Sequence, residues 1–303
     1  MKNSVKLCAY AKVNLCLHVL GKRADGYHEL RTVFQAISLH DELMLTRTRV
    51  RGITLETNDP ALPTNRENLV YRAIAEVVKE VGYRGGIAAK LTKNTPVGRG
   101  LGGGSSDAAS ALVGTLKLTG EKLPLDELIA MAAELGADVP FFLLGGRALG
   151  VNRGDEIYPL PDQPKRAVVV VSPHGISVAT REAYQWISPG ISPGIRAAEA
   201  SLTNKDNPRK LFKFCALCWG RSGGPLENDF EGPVFRRHPR LREIRSLLLE
   251  QGATDAALAG SGSAVFGLFR SPAQARRAAL AFPDDQVFVV ETLNREDCAL
   301  VRP

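Results

Sequence analysis

The chain has 303 residues, of which 44% are hydrophobic and 23% charged, and its formal net charge is +7. This composition is typical of a globular protein with one large domain or two ordinary ones, and it argues against a disordered or fibrous chain. The basic residues are scattered among acidic ones. The charge therefore fits an enzyme for phosphorylated or nucleotide substrates as well as a nucleic-acid binder.

Apolar runs in the sequence indicate where the protein is located, and the number and spacing of its cysteines indicate whether they pair. No apolar run approaches the ~20 residues of a membrane span, and the first residues lack the apolar core and cleavage site of a signal peptide. We therefore expect a cytoplasmic protein without a membrane partner.

The five cysteines are odd in number and widely spread, which argues against a disulfide framework. Cys215 and Cys218 form a C-x-x-C without a second ligand pair nearby, so we interpret them as core residues.

The first predicted element is a strand in AYAKVNLCLHV, where polar and apolar residues alternate. This alternation places Lys12 and Asn14 on the same face. Such a pair is often only the solvated face of a strand. A turn in DGYHEL follows and carries Tyr27 and His28, and a lone histidine is usually structural.

Further along the chain, residues 67–81 place their apolar side chains on one stripe, which predicts a helix that Gly82 can end. Helices are also predicted at 105–118, at 125–135 with Gly136 as the stop, at 239–251 and at 272–281, and strands at 166–172, 263–269 and 286–291. The segment 186–226 is irregular. Strands and helices do not alternate regularly, so we predict an α+β fold. The interruption PLPDQPK divides it into domains at 1–160 and 161–303.

Five of the seven residues from Gly98 to Gly104 are glycine, and Ser105, Ser106 and an aspartate follow. Glycines allow several backbone N–H groups to converge, and a helix N-terminus adds unpaired donors, so the pattern predicts a phosphate-binding loop. The serines could cap the helix or offer hydroxyls to a phosphate or its Mg²⁺. A flexible surface loop is the alternative, but this loop leads directly into a helical pattern.

Two other phosphate motifs do not fit this loop. The first six residues satisfy G-x-G-x-x-G, but the helix that follows leads into another helix and not into the second strand of a dinucleotide site. A Walker A loop needs a lysine after the glycines, and none is present.

The chain resembles the GHMP small-molecule kinases, and three motifs carry the resemblance. They are AKVNLCLHVLGKRADGYHELRTVFQ (11–35), the glycine loop with LGADVPFFLLGG (135–146) downstream, and LAGSGSAVFGLF (258–269). Two positions depart from the family pattern. Tyr10 replaces a usual proline. Gly103-Gly104 stand where the wider superfamily often has Ser-Ser, so its serine contact with Mg²⁺ is not assigned to Ser105 or Ser106, and the metal ligands stay unassigned.

The resemblance implies a two-domain α+β architecture with the active site in the cleft between domains. The wider match indicates the branch that uses ATP, with its Mg²⁺, to phosphorylate the 2-hydroxyl of 4-diphosphocytidyl-2-C-methyl-D-erythritol in non-mevalonate isoprenoid synthesis. It implies no nucleic-acid partner and a monomer or weak dimer. The alternatives are another GHMP kinase of the mevalonate or homoserine type, and a non-catalytic, basic nucleotide- or RNA-binding protein.

The resemblance also implies residue roles. Asp138, which alone would fit a cap or turn residue, becomes the base that accepts the hydroxyl proton, and Lys12 becomes the catalytic lysine. His28 would read the cytosine. The nucleotide-binding residues implied are Pro96, Val97, Gly98, Arg99, Gly100, Leu101, Gly102, Gly103, Gly104, Ser105 and Ser106, with Asn68 and Leu69 toward the adenine. The substrate-binding residues are Asn14, Tyr27, His28, Phe34, Thr180, Tyr184, Gly260, Ser261 and Gly262. Phe34 and Tyr184 could equally be core residues, and Asn68 could equally cap its helix.

Overall fold

A computed structural model of the chain describes residues 3–187, 218 and 225–301. Two sheets with helices packed on them confirm the predicted α+β class. The first element is a long antiparallel hairpin of β1 (Ser4–Lys22) and β2 (His28–Thr48). Its register shifts at three places, which bends the hairpin so that it borders both halves of the molecule.

The first sheet has seven strands, with β8, β1, β2, β4 and β3 in spatial order and β5 and β6 attached to β2. Two of its pairs are parallel, β3 with β4 and β1 with β8, and the other pairs are antiparallel. Its remaining strands are β3 (Gly52–Thr57), β4 (Gly86–Thr92), β5 (Arg147–Val151), β6 (Glu156–Pro159) and β8 (Glu227–Asn228).

The second sheet has four antiparallel strands in the order β11, β7, β10, β9. They are β7 (Ala167–Ser172), β9 (Asp255–Leu258), β10 (Val265–Phe269) and β11 (Gln286–Glu291). The β-branched run of β7 is buried along its whole length because this strand lies inside the sheet.

The helices of the first half are α1 (Leu69–Glu80), α2 (Gly103–Thr119), α3 (Leu125–Leu135) and α4 (Val139–Leu144). Those in the described residues of the second half are α5 (Thr180–Ile187), α6 (Glu231–Arg237), α7 (Pro239–Glu250), α8 (Pro272–Ala279) and α9 (Arg295–Cys298). The helix α2 is buried on nearly all sides, between β1, β2, α1, α3 and α4.

The two halves share apolar contacts. One buried cluster joins Ala11 and Val13 of β1 to Val168, Val170 and Phe266 of the second sheet. The chain after β11 then returns to the first half, where Leu293 and Cys298 enter the core of that half. The division near residue 160 stays a prediction, and the connection between β6 and β7 is where the chain passes from one sheet to the other.

Most predicted helices and strands are observed within a few residues of their predicted bounds. The start of α2 differs, because the helix begins at Gly103 and its N-cap is Gly102 in the left-handed conformation. Ser105 and Ser106 are therefore inside the first turns, and the prediction that they cap the helix is wrong. None of the helices in the described part of the chain has the length and apolarity that a membrane span requires.

The predicted irregular segment 186–226 lies mostly outside the described residues, and so does Cys215. Cys218 is fully buried, in the apolar cluster that the two halves share. This position agrees with its interpretation as a core residue.

Candidate active site

A cleft of about 970 Å³ lies between the two halves, and the glycine loop forms one of its walls. Nearly all the residues expected to bind ATP or substrate line it. They are Lys12, Asn14, Tyr27, His28, Phe34, Asn68, Leu69, Pro96, Val97, Gly98, Arg99, Gly100, Leu101, Gly102, Gly103, Gly104, Ser105, Asp138, Thr180, Tyr184, Gly260 and Ser261. The other two, Ser106 and Gly262, lie outside the lining.

Lys12 lies on β1 and is 3% exposed, so it does not belong to a solvated face. Its Nζ donates a hydrogen bond to Asn14 Oδ1 at 2.7 Å, as expected for two residues on one face of a strand. Asn14 Nδ2 donates to Thr32 Oγ1 at 2.8 Å, and that hydroxyl donates to the Cys16 carbonyl at 2.7 Å. This chain of hydrogen bonds holds the ammonium group in one place.

Asp138 lies at the N-cap position of α4, but its side chain makes no capping hydrogen bond. One carboxylate oxygen, Oδ2, lies 3.4 Å from Lys12 Nζ, and the side chain is 34% exposed, toward the cleft that it lines. Because the cap does not use this carboxylate, it is available to accept a proton from a hydroxyl group in the cleft. Lys12 and Asp138 form an ion pair with one buried partner and one accessible partner.

The glycine loop is shaped by its close contacts. Gly102 has φ of +72°, and a Cβ there would lie 2.7 Å from a ring carbon of Phe142 and 3.1 Å from Lys12 Cγ. The Leu101 carbonyl accepts a hydrogen bond from the Lys12 backbone N–H at 2.9 Å, which attaches the loop to β1. No side chain caps α2, so its first backbone N–H groups keep their donors for an anion at the loop.

A second glycine-rich turn from the other half meets this loop. A Cβ on Gly100 would lie 1.9 Å from the Ala259 carbonyl oxygen, so the two backbones touch. The Ala264 N–H donates to the Arg99 carbonyl at 3.1 Å, and the Arg99 guanidinium donates to Ser263 Oγ at 2.7 Å. These contacts hold the floor of the cleft together across the two halves.

The residues around that turn also connect to helix α5. Ser261 Oγ lies 3.1 Å from Thr180 Oγ1, and Asn228 Nδ2 donates to the Gly260 carbonyl at 2.7 Å. The Gly262 N–H donates to the Ala259 carbonyl and closes this turn, although Gly262 does not itself line the cleft.

At the far end of the cleft, an aromatic group joins the two halves. The rings of His28 and Tyr184 are stacked with centroids 4.7 Å apart, and Tyr184 meets Phe230 edge to face at 4.9 Å. Burial lowers the pKa of His28, and the charge of Lys22 lowers it further. Burial also raises the pKa of Tyr184, together with the charge of Asp138. A neutral imidazole presents one donor and one acceptor, which suits the edge of a nucleobase.

The other two aromatic candidates differ in exposure. Tyr27 is 56% exposed, and its ring lies under the guanidinium of Arg153 at 4.9 Å. Phe34 is 2% exposed and packs against Phe141 at 4.9 Å, so it offers little of its ring to a base. The core alternative describes its surroundings better.

Asn68 and Leu69 lie where α1 meets the cleft. Asn68 Oδ1 accepts from the Val70 N–H at 2.9 Å, and its Nδ2 donates to the Pro63 carbonyl at 2.8 Å. The capping alternative for Asn68 is therefore confirmed, and the residue also lines the cleft.

A cluster of buried charged residues lies beside the glycine loop, and the sequence patterns did not predict it. Lys93 Nζ donates to Asp107 Oδ2 at 2.7 Å and also forms an ion pair with Asp41. Asp41 Oδ1 accepts the backbone N–H groups of Asn94 and Thr95 at 2.6 and 2.7 Å. The three charged residues come from three separate segments, and no local pattern predicts that they meet.

The charges in this cluster are not equivalent. Burial raises the pKa of Asp107 to about 7, against the opposing effect of Lys93. The Asp107 Oδ1 atom is buried and has no hydrogen-bond partner among the described residues. Asp107 lines the cleft beside the glycine loop, and its Oδ1 is an acceptor that no other described residue uses.

Family models match both halves of the chain. The model of the GHMP kinases N terminal domain matches residues 68–146, and that of the GHMP kinases C terminal domain matches residues 209–286. A relative from Solibacter usitatus, named 4-diphosphocytidyl-2-C-methyl-D-erythritol kinase, is 45% identical, with 96% of this chain and 89% of the relative covered. A relative of the same name from Moorella thermoacetica is 42% identical over 90% and 93%.

Solved structures give the same result. A crystal structure of 4-(cytidine 5'-diphospho)-2C-methyl-D-erythritol kinase superposes with a TM-score of 0.77 at 37% identity, with 95% of this chain and 99% of that chain covered. Homoserine kinase from Cytophaga hutchinsonii superposes with a TM-score of 0.73 at 21% identity, with 97% and 96% covered. The second likeness shows the shared fold alone.

Proposed function

The chain belongs to the GHMP kinase family, and from this premise we propose that it transfers the γ-phosphoryl group of ATP to the 2-hydroxyl of 4-diphosphocytidyl-2-C-methyl-D-erythritol. This is the substrate in the names of its relatives at 36 to 45% identity. The reaction belongs to non-mevalonate isoprenoid precursor synthesis. The observation that carries the proposal is the Lys12–Asp138 ion pair, which lies between the glycine loop and the His28–Tyr184 stack.

Asp138 acts as the general base in this proposal. Its carboxylate accepts the proton of the 2-hydroxyl as that oxygen bonds to the γ-phosphorus, and the bond from phosphorus to the β,γ-bridging oxygen breaks to release ADP. The Lys12 ammonium orients the carboxylate and stabilises the negative charge that develops on the transferring group. The hydrogen bond to Asn14 keeps the ammonium in place throughout.

The residues of the glycine loop fit the phosphate groups of a nucleoside triphosphate. Gly100 and Gly102 let the loop pack directly against the Ala259 carbonyl and the Phe142 ring, and the uncapped start of α2 supplies N–H donors. ATP carries Mg²⁺, which binds through phosphate oxygens and one or two carboxylates. The unused Oδ1 of Asp107 fits that need and makes Asp107 the residue that would help to hold the ion. Asn68 and Leu69 border the adenine side.

The far end of the cleft receives the cytidine. His28 reads the base edge, and Tyr184 and Tyr27 supply aromatic surface for stacking. Thr180, Ser261 and Gly260 face the diphosphate or the methylerythritol. A cytoplasmic location and a monomeric or weakly dimeric state stay predictions.

The alternatives have less support. The likeness to homoserine and mevalonate kinases, at 15 to 21% identity, extends to the fold alone. A non-catalytic nucleotide binder would not need a buried lysine paired with a carboxylate in its cleft.

Analysis of the reaction product tests the proposal. Incubation with ATP and the cytidyl-linked substrate should produce one ADP for each new phosphate monoester, and phosphorus and carbon NMR should place that ester on the 2-oxygen. A phosphate on another hydroxyl, or hydrolysis of ATP without a phosphorylated product, would contradict it.

A further inference from the structure

A second concavity of about 510 Å³ lies outside the cleft, between α1 and the strands β3 and β4. We call it the basic groove. Its floor contains Ile53 and Ile87, which are register partners on the parallel pair of strands. One wall is the stripe of Tyr71, Ala75 and Val78 on α1, at positions i, i+4 and i+7. The groove therefore has an elongated apolar interior.

Four cationic side chains surround this interior: Arg51, Arg66, Lys79 and Arg84. All four are exposed, and within the described residues none of them has a hydrogen bond or an ion pair. No acidic residue among those that the structure describes lines the groove, although α1 carries Glu76 and Glu80 on its exposed surface. The groove thus concentrates unpaired positive charge around apolar surface, and its potential favours an anion.

The cations are distributed unevenly along the groove. Gly52 and Gly86 are register partners at the start of β3 and β4, so Arg51 and Arg84 lie near the same end of the sheet. Lys79 lies in the last turn of α1, whereas Arg66 precedes its first turn. At a rise of about 1.5 Å per residue, the two ends of α1 are about 18 Å apart. One end therefore has the higher density of charge.

Tyr83 covers the charged end of the groove. A Cβ on Gly85 would lie 2.3 Å from the Tyr83 hydroxyl oxygen and 2.6 Å from Cζ, so the ring lies directly over this glycine. Its position beside Arg84 places an aromatic surface next to the cationic rim.

We propose that the basic groove binds a small organic phosphate with an apolar or aromatic body. The phosphate oxygens accept hydrogen bonds from the guanidinium groups of Arg51 and Arg84, which suit phosphate geometry, and from Lys79. The body of the ligand packs along Val78 and Tyr71 and beside Tyr83. This site is separate from the phosphoryl-transfer cleft, and it does not depend on the reaction proposed above.

Calorimetry with 1-naphthyl phosphate tests the proposal, and the loss of binding in variants of the groove distinguishes this site from the nucleotide cleft. We expect binding with one site per chain, and at least tenfold weaker binding of inorganic phosphate. The double variant Arg51→Gln/Arg84→Gln should weaken the binding of naphthyl phosphate at least tenfold, because each charged hydrogen bond to phosphate accounts for about tenfold. Gly85→Ala should weaken it severalfold by displacing Tyr83.

Arg72→Gln is the matched control, because Arg72 is exposed on α1 but does not line the groove. It should change the affinity less than twofold. An equal loss in this variant would mean that diffuse charge attracts the ligand, and it would overturn the proposal. The absence of binding at millimolar naphthyl phosphate would overturn it as well. Tighter binding of a ten-nucleotide single-stranded RNA, lost in the same double variant, would identify a nucleic-acid surface instead.

Discussion

The Nζ atom of Lys12 lies 3.4 Å from Oδ2 of Asp138, and the lysine is almost completely buried whereas the aspartate faces the cleft. Asn14 holds the ammonium from behind, so the carboxylate is the member of the pair that can meet a substrate. This asymmetry assigns proton transfer to Asp138 and charge stabilisation to Lys12.

Asp138→Asn should therefore reduce kcat by roughly 10²-fold or more, with little change in the affinity for ATP. The amide keeps the shape of the side chain but accepts protons poorly. Steady-state kinetics together with calorimetry measure both effects. Asp126→Asn, at an exposed position in the first turn of α3, is the matched control and should leave both unchanged. A rate near that of the unmutated protein would remove Asp138 from the mechanism.

Two glycines of the loop should respond differently to the same substitution. A Cβ on Gly104 meets only Leu69 Cδ1, at 4.0 Å, and the residue lines the cleft. Gly104→Ala should therefore fold normally and weaken ATP binding severalfold, because the methyl group occupies phosphate space. Gly102→Ala should also lose about 1 kcal/mol or more of unfolding free energy, because its φ is positive and its Cβ meets Phe142. Calorimetry and urea unfolding separate the two effects, and unchanged ATP affinity in both variants would refute the phosphate role.

His28→Ala tests the reading of the base. The change should raise KM for the cytidyl-linked substrate about tenfold or more with little effect on ATP, because the base loses its hydrogen-bond partner. The uridine-linked analogue should change much less. Parallel kinetics with the two substrates provide the comparison. Equal losses for both would show that His28 shapes the pocket through its stack on Tyr184 without reading the base.

The same histidine predicts a pH dependence of stability. Its pKa in the folded chain is lowered by burial, so the unfolded chain binds the additional proton between that value and the ordinary pKa of about 6.5. The contribution of the neutral His28 side chain to the free energy of unfolding is fully present above pH 6.5. It decreases as the pH falls through the lowered pKa. Urea unfolding between pH 5 and 7 should show a steeper loss in the unmutated chain than in His28→Asn. Parallel curves would contradict the lowered pKa.

Asp41→Ala should destabilise the fold by about 3 kcal/mol, because it removes the acceptor of two backbone N–H groups and one partner of a buried lysine. Residues 93–95 lead into the glycine loop, so weaker ATP binding should accompany the loss. Glu42→Ala, which removes the exposed ion pair with Lys6, is the control and should cost less than about 1 kcal/mol. An equal cost of the two changes would show that the cluster does not anchor this segment.

Sequence patterns predicted which residues of the site share a strand face or a loop. They did not predict which of these residues are buried. Alternation placed Lys12 and Asn14 on one face, but that face is buried because helices and the second half of the chain cover β1. The start of α2 was predicted at residue 105, whereas the structure begins the helix at Gly103 despite the low helix propensity of glycine. The burial of this helix on nearly all sides explains how packing overrides propensity there.

The Lys93–Asp41–Asp107 cluster marks the limit of prediction from one sequence. Each residue lies in an ordinary local context, and only the pairing of β2 with β4 and the packing of α2 bring them together. The stack of His28 on Tyr184 depends in the same way on the approach of the two halves.

The rate of ADP release with a series of acceptor alcohols tests the central claim most directly. At equal concentrations, the chain should turn over with 4-diphosphocytidyl-2-C-methyl-D-erythritol at least a hundredfold faster than with mevalonate, homoserine, galactose or free methylerythritol, because only the cytidyl-linked substrate engages both the His28–Tyr184 end and the Lys12–Asp138 pair. Comparable turnover of free methylerythritol, or a preference for mevalonate or homoserine, would contradict the account.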